Sequence, residues 1–463
     1  MPLKRELGFL HVFAMAAGAM ISSGLFVLPA VAFAMVGAGL PYCYLLAAVM
    51  LLPAVLTKAE LITAMPKAGG TYFFIDRSLG PGFGTVGGVV AWASLAFKSA
   101  FALVGIGALG ALAWHWNISS WQVKAIACAF CLFFAALNML GAKHAGRAQI
   151  LLVAVLLVIL TAYGAAGVRA VQPTHMRPLL PHGWSSLLMV VGMVFISFGG
   201  VTKVATMGEE VHELKRDLLG GMFAACIVVG LLYALVVYVT VGVLPEEPAE
   251  WWPIPLAQAA GVMFSTKGVW VLAMAGLFAF LTTGNAGVFA APRILMAMSQ
   301  DQLVPAGLGR IHPRRGTPTR AILFTAAFMV SIILLLELET FIKAASTMML
   351  LLFIFEMISL VLMRESHIPT YRPTWKCPFY PWLQIGGSVC YTFLLVELGT
   401  FPLAVAGLII CAAVLWYVFY AKVHVLRESA LIRLAGRIAR WDFADHDLEA
   451  ELSRMARERK EEL

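Results

Sequence analysis

The chain has 463 residues, of which 61% are hydrophobic and only 13% are charged. A soluble protein carries about 25% charged residues, so this composition excludes a soluble globular protein and indicates a polytopic membrane protein. The net charge of +8 comes from Lys and Arg in the predicted loops and tail, and it does not require nucleic-acid binding.

Apolar runs of about 20 residues predict about twelve membrane helices. The first run is longer than the apolar core of a signal peptide and is followed by further runs, so we interpret it as a membrane helix. Lys and Arg concentrate at the N-terminus, in every second loop and in the C-terminal tail. This distribution predicts cytoplasmic termini and a transmembrane domain over residues 1–422 in the plasma or inner membrane. The runs are residues 8–35, 39–62, 83–113, 121–141, 148–169, 184–211, 218–243, 268–297, 320–337, 341–363, 382–399 and 402–422.

Residues 18–29, with the sequence GAMISSGLFVLP, interrupt the first predicted helix. Ser22, Ser23 and Gly24 are poor helix formers, and irregular backbone at bilayer depth is tolerated only where it is buried in protein or lines a cavity. A broken helix offers free N–H groups to an anion and free carbonyls to a cation, so a zwitterion fits the interruption. A second interpretation is a face of small residues that lets helices pack closely.

The third predicted helix carries Lys98 near its centre, next to Ser99. We assign only Lys98 and Lys203 among the cations to helix interiors, and the others to loops or the tail. A charged side chain at that depth costs a few kcal/mol or more unless it faces a cavity or a partner. Lys98 is therefore a candidate for coupling or gating, and snorkelling to the membrane surface is the alternative.

Residues 195–203, with the sequence FISFGGVTK, form a second interruption five predicted helices after the first. Two interruptions at corresponding positions in two halves of a chain indicate a transporter with internal repeats. This pairing favours transport over mere close packing at residues 18–29. The candidates for coupling or gating that follow the second interruption are Thr202 and Lys203.

Two later helices add polar candidates. Thr282 and Thr283 carry hydroxyls that suit a cation together with carbonyls of the first interruption, and Asn285 follows them. Hydroxyls in membrane helices more often bond to carbonyls of their own helix, and we prefer that alternative. Glu356 lies in the tenth predicted helix, where it either faces a cavity or pairs with a nearby cation.

The motifs predict no enzyme, no cofactor and no metal site. The histidines are scattered without metal-ligand spacing, and the sequence has neither a hydrolase nucleophile motif nor an ATP-binding loop. Cys128 and Cys131 have metal-ligand spacing, but they lie in a predicted membrane helix and have no partner pair. We interpret both as free, buried thiols.

The tail, residues 423–463, alternates Leu and Ile with Arg over its first half. This pattern predicts a basic amphipathic helix that lies on the anionic lipid of the inner leaflet. About forty residues are too few for a second substantial domain.

Five motifs in one order carry a resemblance to a known family. Residues 21–26 (ISSGLF) look like I-G-S-G-I-F, and residues 66–72 (PKAGGTY) look like P-R-A-G-G-P-Y. Residues 209–211 match E-E-V, residues 293–305 are similar to R-x-x-x-A-M-A-R-D-G-x-x-P, and residues 371–381 look like the proline-rich link after the tenth helix. The chain resembles the amino acid, polyamine and organocation permeases. The resemblance implies an all-α membrane protein with the leucine-transporter fold, which has two inverted repeats of five helices, two further helices, and breaks in helices one and six.

The resemblance also implies where a substrate binds. Its carboxylate is expected at the amides around Ser23 and Gly24, and its amino group at carbonyls near Ile21 and residues 195–198. The expected contacts at the second interruption are Phe195, Ser197, Phe198, Gly199 and Gly200. Expected near the substrate side chain are Ser99, Lys98 and the residues after Asn285.

Three positions depart from the family's pattern. Ser22 stands where the family usually has glycine, and Thr202 stands where many members have an acidic residue. Some proton-coupled members carry a lysine in the fifth helix, at the position that Leu156 occupies here. Proton coupling through that lysine is therefore absent in this chain.

The predicted function is secondary active transport of an amino acid or a related amine by alternating access. Sodium needs several well-placed oxygens and only two hydroxyls are visible, so we favour proton coupling or uncoupled exchange, with a sodium symporter as the alternative. A channel or receptor on the same bundle is disfavoured, because the chain has no ring of pore-lining charges and no filter-like repeat. The sequence identifies neither the substrate nor the oligomeric state.

Overall fold

The protein is built from helices joined by turns in the part of the chain that the structure describes. In this computed structural model, that part comprises residues 7–67, 69–114, 121–140, 146–205, 208, 211–244, 254–313, 315–368, 371–425 and 429–431, without the side chains of residues 114 and 146–149. Glu209 and Glu210 lie outside it, and so does the predicted tail except for residues 423–425 and 429–431. The helices are α1 (Phe9–Met20), α2 (Ser23–Phe26), α3 (Leu28–Val36), α4 (Leu40–Met50), α5 (Leu52–Ala64), α6 (Thr71–Leu79), α7 (Pro81–Trp114), α8 (Trp121–Leu140), α9 (Gly146–Gly167), α10 (Gly183–Val194), α11 (Gly200–Val204), α12 (Leu219–Val243), α13 (Pro255–Gln300), α14 (Ala306–Gly309), α15 (Thr319–Leu335), α16 (Leu338–Glu365), α17 (Trp382–Glu397), α18 (Thr400–Trp416) and α19 (Lys422–His424).

Nine helical stretches among the described residues are long and apolar enough to cross a membrane. The sequence predicted about twelve, and the difference has a simple origin. The stretch Ser23–Ala64 joins two predicted runs in 42 residues. Helices α15 and α17, with 17 and 16 residues, are shorter than a typical crossing of about 20. The protein is an all-helical membrane protein.

The first interruption, predicted within residues 18–29, is confirmed. Helix α1 ends before Ile21 and Ser22, whose backbone is extended, and α2 begins at Ser23. Two extended residues in succession cannot carry the helical hydrogen-bond pattern across the gap. The interruption therefore frees backbone groups at both of its ends.

At the second predicted interruption, residues 195–203, the helix changes type and no gap separates its two parts. A 3-10 helix over Phe195–Phe198 follows α10, and α11 begins at Gly200. Gly199 between them keeps right-handed helical angles, with φ −61° and ψ 0°. The backbone therefore stays helical from α10 to α11, without the extended residues that separate α1 from α2.

Helices α7 and α13 approach each other closely at Ser99 and Gly287. A Cβ built on Gly287 would lie 1.4 Å from Oγ and 2.4 Å from Cβ of Ser99. Both distances are far below van der Waals contact, so only glycine fits at this position. Ser99, a predicted site residue, therefore contributes to the spacing between these two helices.

We predict that Gly287→Ala lowers the thermal unfolding midpoint, because the added methyl forces α7 and α13 apart and overpacking costs about 1–3 kcal/mol. Ser99→Gly in the same chain should recover part of the loss. The control is Gly386→Ala in α17, where a Cβ meets no atom within 4 Å. Alanine is the better helix former, so the control midpoint should stay unchanged or rise slightly. Equal unfolding midpoints for purified Gly287→Ala and Gly386→Ala would contradict the packing argument.

Candidate functional site

The first interruption gathers four hydrogen-bond donors that have no acceptor among the described residues. The amides of Ser22, Ser23 and Gly24 precede or begin α2, so no helical carbonyl lies behind them, and none of them bonds elsewhere. The fourth donor is the buried Oγ of Ser22. Because Ser22 and Ser23 are only 2% and 1% exposed, bulk solvent does not reach them. This set of donors fits an anionic group with several acceptor oxygens.

Some carbonyl oxygens of the same interruption already accept hydrogen bonds from side chains. The carbonyl of Gly24 accepts hydrogen bonds from Tyr44 Oη at 2.5 Å and from Ser197 Oγ at 3.1 Å. The carbonyl of Gly18 accepts a hydrogen bond from Thr283 Oγ1 at 3.3 Å. Free carbonyls at the end of a helix suit a cation such as an ammonium group. The carbonyls that accept no hydrogen bond from the described residues are those of Ala19, Met20 and Ile21.

The two interruptions touch each other at Gly24 and Ser197. A Cβ built on Gly24 would lie 2.3 Å from Oγ and 2.9 Å from Cα of Ser197. Gly200 approaches α1 in the same way, since its built Cβ would lie 2.4 Å from the carbonyl oxygen of Ala16. The two interruptions are therefore in direct contact, with Ser197 packed against the backbone of Gly24.

Aromatic rings hold the second interruption in place on both sides of Ser197. The ring of Phe195 lies 5.5 Å from that of Tyr391, and the ring of Phe198 lies 5.5 Å from that of Tyr233, measured between centroids. Both phenylalanines are fully buried. These contacts fix the 3-10 segment, whereas contact of either ring with a substrate stays a prediction.

The ammonium of Lys98 lies beside the second interruption. The residue is 9% exposed, and its Nζ has no hydrogen-bond partner among the described residues. A Cβ built on Gly199 would lie 2.9 Å from this Nζ and 3.1 Å from Sδ of Met349, which puts Lys98 at the meeting point of α7, α16 and the 3-10 segment. Lys203 of α11 lies within electrostatic range. A buried ammonium without an acceptor favours an anionic or neutral neighbour and repels a cation.

Two candidate hydroxyls bond within their own helical segments. Thr202 Oγ1 donates to the carbonyl of Gly199 at 2.6 Å. Thr282 Oγ1 donates to the carbonyls of Phe278 at 2.9 Å and Ala279 at 3.0 Å. For Thr282 this is the same-helix alternative that the sequence favoured.

Thr283 and Asn285 connect α13 to other helices. The hydroxyl of Thr283 reaches the carbonyl of Gly18 near the end of α1. Asn138 Nδ2 of α8 donates to Asn285 Oδ1 at 2.8 Å. Sequence reasoning missed Asn138, although an amide side chain inside an apolar helix was a usable signal.

Of the two alternatives for Glu356, the structure shows an ion pair. Nζ of Lys58 lies 2.5 Å from Oε1 of Glu356, and both side chains are fully buried. Counting Lys58 with the loops was wrong, because it lies inside α5. Lys58 could have been found from the sequence by the criterion that identified Lys98, a lysine within a predicted membrane helix.

A second buried carboxylate, Glu60, lies two residues further along α5. It accepts hydrogen bonds from Arg364 Nε at 2.8 Å, the amide of Cys377 at 2.6 Å and Tyr371 Oη at 3.2 Å. Burial, followed by the charge of Glu60, raises the pKa of Tyr371 well above its ordinary value. Burial raises the pKa of Cys377 to about 11, so both groups are protonated at neutral pH. The cluster ties the link after α16 to α5.

Helix α6 is held against the end of α13 by polar contacts. Tyr72 Oη donates to Asp301 Oδ2 at 2.6 Å, and Arg77 bonds Asp301 Oδ1 at 3.3 Å. Arg77 also pairs with its neighbour Asp76. These contacts join the segment after α5 to the residue that follows α13.

Comparison with known proteins identifies the family. A family model described as amino acid permease matches residues 7–425. A branched-chain amino acid permease of Bacillus subtilis is 26% identical over 451 residues, covering 91% of this chain and 94% of its own length. A branched-chain amino acid permease of Lactococcus lactis subsp. cremoris is 28% identical over 421 residues, with coverages of 82% and 87%. A vacuolar cationic amino acid transporter of Arabidopsis thaliana is 26% identical over 383 residues, with coverages of 78% and 60%.

The match to the family model contains both interruptions and every helix from α1 to α19. It confirms the resemblance that the five motifs indicated. The chain belongs to the amino acid permease family, within the amino acid, polyamine and organocation superfamily, and is an integral membrane transporter and not an enzyme.

Proposed function

We propose that the protein is a secondary active transporter that moves an amino acid across the membrane by alternating access around the two interruptions. Its helices form two inverted repeats of five and two further helices, as in the leucine-transporter fold. The first membrane helix is broken at Ile21 and Ser22, and the sixth is interrupted by the 3-10 segment Phe195–Phe198. The observation that carries the proposal is the set of four buried donors without acceptors at Ser22, Ser23 and Gly24. At bilayer depth such donors need an acceptor, and the carboxylate of a bound amino acid supplies it.

The amino group of the substrate completes the arrangement. The unoccupied carbonyls of Ala19, Met20 and Ile21 lie at the other end of the same interruption, and an ammonium group binds carbonyl oxygens. Because Ser197 touches Gly24, a ligand at the first interruption also lies close to the second. The contacts proposed there are Phe195, Ser197, Phe198, Gly199 and Gly200.

The charge of Lys98 bears on which class of substrate side chain the site accepts. Its ammonium beside Gly199 has no partner in the described structure, so it disfavours a cationic substrate side chain and tolerates a neutral or acidic one. Two bacterial relatives are named for branched-chain amino acids and the plant relative for cationic ones. The charge of Lys98 supports the branched-chain class for this protein. Ser99 and Asn285 are the other residues proposed near the side chain.

Access to the site is proposed to alternate between the two sides of the membrane. The first interruption is buried, so exchange of substrate requires helices to separate. The contacts of Tyr72 and Arg77 with Asp301 are the proposed cytoplasmic gate. This orientation follows from the Lys and Arg distribution, which favours cytoplasmic termini, and residues 423–463 are proposed to lie on the inner leaflet.

Proton coupling or uncoupled exchange is proposed in preference to sodium coupling. Thr282 and Thr283 donate their protons to carbonyls and keep lone pairs that suit a cation. Sodium needs several well-placed oxygens, however, and neither residues 18–29 nor residues 195–203 include a carboxylate. Leu156 occupies the position at which some proton-coupled members of the superfamily carry a lysine, so the proposed coupling does not use that position. The groups proposed for coupling or gating are Lys98, Thr202, Lys203 and Glu356.

Counterflow tests the carrier proposal against a channel or a receptor on the same bundle. Proteoliposomes are loaded with an unlabelled mixture of the common amino acids and given a trace of the radiolabelled mixture outside. A carrier accumulates label transiently above equilibrium, because it exchanges inside for outside substrate. A channel only equilibrates the label and a receptor moves none, so either result would overturn the proposal.

Ser23→Pro should weaken amino acid binding while the fold is kept. Proline removes one of the three free amides, the first position of a helix accepts proline, and the extended backbone of Ser22 suits the preceding residue. Losing one hydrogen bond to a carboxylate costs about 1.5–3 kcal/mol, which raises the Kd about tenfold to a hundredfold. Ser23→Ala retains the amide and is the matched control. Calorimetric titration with leucine measures the effect, and equal affinities for both variants would remove this amide from the site.

Lys98→Met is expected to relax the discrimination against cationic amino acids, because it removes a buried positive charge next to the site. Inhibition of leucine uptake by lysine should strengthen by about tenfold. The control is Lys343→Met, which removes a cation paired with Glu339 near the surface of α16. If the order of inhibition by leucine, lysine and glutamate is the same in Lys98→Met as in the wild type, Lys98 does not face the substrate.

An inward pH gradient, and not an inward sodium gradient, is expected to stimulate uptake into proteoliposomes. The comparison requires each gradient alone and neither gradient, with the radiolabelled amino acid mixture. Thr283→Ala serves as the probe of the sodium alternative. Stimulation by sodium alone, lost in Thr283→Ala, would show that the coupling ion is sodium.

A further inference from the structure

Three residues from separate helices form a buried polar cluster, which we call the Lys58 cluster: Lys58 of α5, Thr71 of α6 and Glu356 of α16. Lys58 Nζ lies 2.5 Å from Oε1 of Glu356 and 3.1 Å from Oγ1 of Thr71. Thr71 Oγ1 donates to the same carboxylate oxygen at 2.5 Å. The ring of Phe353 lies 5.6 Å from Nζ. The ammonium of Lys58 thus has three stabilising neighbours.

The two oxygens of Glu356 are in opposite situations. Oε1 accepts from two donors, whereas Oε2 is buried and has no hydrogen-bond partner among the described residues. A buried carboxylate oxygen without a donor is an expensive arrangement for a purely structural ion pair, which needs its remaining lone pairs satisfied. One oxygen of this carboxylate is therefore available to bind a proton.

We propose that the Lys58 cluster is the proton-binding site of the transport cycle. A proton from the compartment of higher proton activity binds Oε2 of Glu356, and it is released to the opposite compartment later in the cycle. The carboxylate becomes a carboxylic acid, Lys58 stays an ammonium, and the charge of the cluster changes from zero to plus one. This inference rests on the proposed function and names the group that carries the coupled proton.

The position of the cluster links the proton to the moving parts. Thr71 begins α6, and the next residue, Tyr72, holds Asp301 in the proposed cytoplasmic gate. Protonation weakens the attraction between Lys58 and Glu356, and with it the connection of α5 and α6 to α16. A change of charge at Glu356 is thereby transmitted to the gate through two consecutive residues.

Lys58 is the only charged group that contacts Glu356 in the described part of the chain. Helix α10 and the 3-10 segment Phe195–Phe198 have no ionisable residue. Other ionisable groups lie on the helices packed against α16, and most of them have their own partners. On α5 and α6, Glu60 is bonded to Arg364, Tyr72 donates to Asp301, and Asp76 and Arg77 are bonded to each other. On α17, Glu397 is bonded to Ser185, and the hydroxyl of Tyr391 donates to the carbonyl of Met50. The remaining groups are Cys390, Cys411 and Lys98, which lies beside Met349, two turns from Glu356.

Buried polar atoms continue from the cluster along α16. Ser359, one turn beyond Glu356, has a buried hydroxyl without a partner, and Oε1 of Gln384 is in the same situation. Gln384 Nε2 lies 3.3 Å from Thr57 Oγ1, next to Lys58 in sequence, and 3.2 Å from Cys377 Sγ. Gln384 thus lies between Thr57 and Cys377, whose amide donates to Glu60, and these buried polar atoms mark the proposed route of the proton.

The test separates a proton site from a structural ion pair. Lys58→Met with Glu356→Met replaces both charges by apolar side chains of similar length, a change that structural ion pairs often tolerate. In proteoliposomes with the radiolabelled amino acid mixture, stimulation by an inward pH gradient should be lost while counterflow remains detectable. Glu356→Gln, which is isosteric and cannot ionise, should also lose the stimulation and keep detectable counterflow. The control, Lys343→Met with Glu339→Met, removes the near-surface pair of α16 and should keep the stimulation.

A measurement on the wild type makes the test independent of variant folding. If a proton binds with the substrate, the affinity for leucine must change with pH, and addition of leucine to weakly buffered protein must shift the pH. Retained pH-gradient stimulation in Glu356→Gln, or a leucine affinity that does not vary with pH in the wild type, would overturn the inference. Either result leaves the carrier proposal standing as long as counterflow occurs. Loss of counterflow in the wild type would instead refute the carrier itself.

Discussion

Backbone hydrogen bonding at bilayer depth is the constraint on which this structure depends. Lipid offers no partner to a free amide or carbonyl, and each unpaired group costs several kcal/mol, so a helix can be interrupted only where protein or a ligand encloses the gap. The gap after α1 is enclosed in this way, since the carbonyl of Gly24 is paired with Tyr44 and Ser197. The amides around Ser23 remain, and they are the groups that the proposed substrate satisfies.

The two interruptions make different contributions because their backbones differ. The first contains two extended residues and therefore exposes free amides and carbonyls. The second keeps helical angles through its 3-10 segment, so what it contributes is close packing and side chains. Gly24 against Ser197 brings the two together, and Gly199 leaves the space that the ammonium of Lys98 occupies. A single ligand can therefore contact free backbone on one side and side chains on the other.

Two lysines at the core of the protein show how the membrane interior separates roles for one residue type. Lys58 is neutralised by Glu356 and joins α5 to α16, whereas Lys98 has no partner among the described residues. A buried charge persists in a membrane protein when it is paired or when function requires it. The paired lysine belongs to the inferred proton site, and the unpaired one belongs to the proposed selection of substrate side chains.

Composition and short-range pattern determined the membrane class, the helices, both interruptions and the family, because each depends on residues that are close in sequence. Composition and pattern did not determine which side chains of different helices contact each other. Glu356 and Lys58 are 298 positions apart, and a helical period predicts which residues share a face without predicting which helix lies opposite. Thr282 and Thr283 are adjacent and chemically identical, yet one bonds to its own helix and the other bonds to α1. Only the packing of α13 against α1 decides between them, since successive residues of a helix point about 100° apart and only one of the two can face the neighbour.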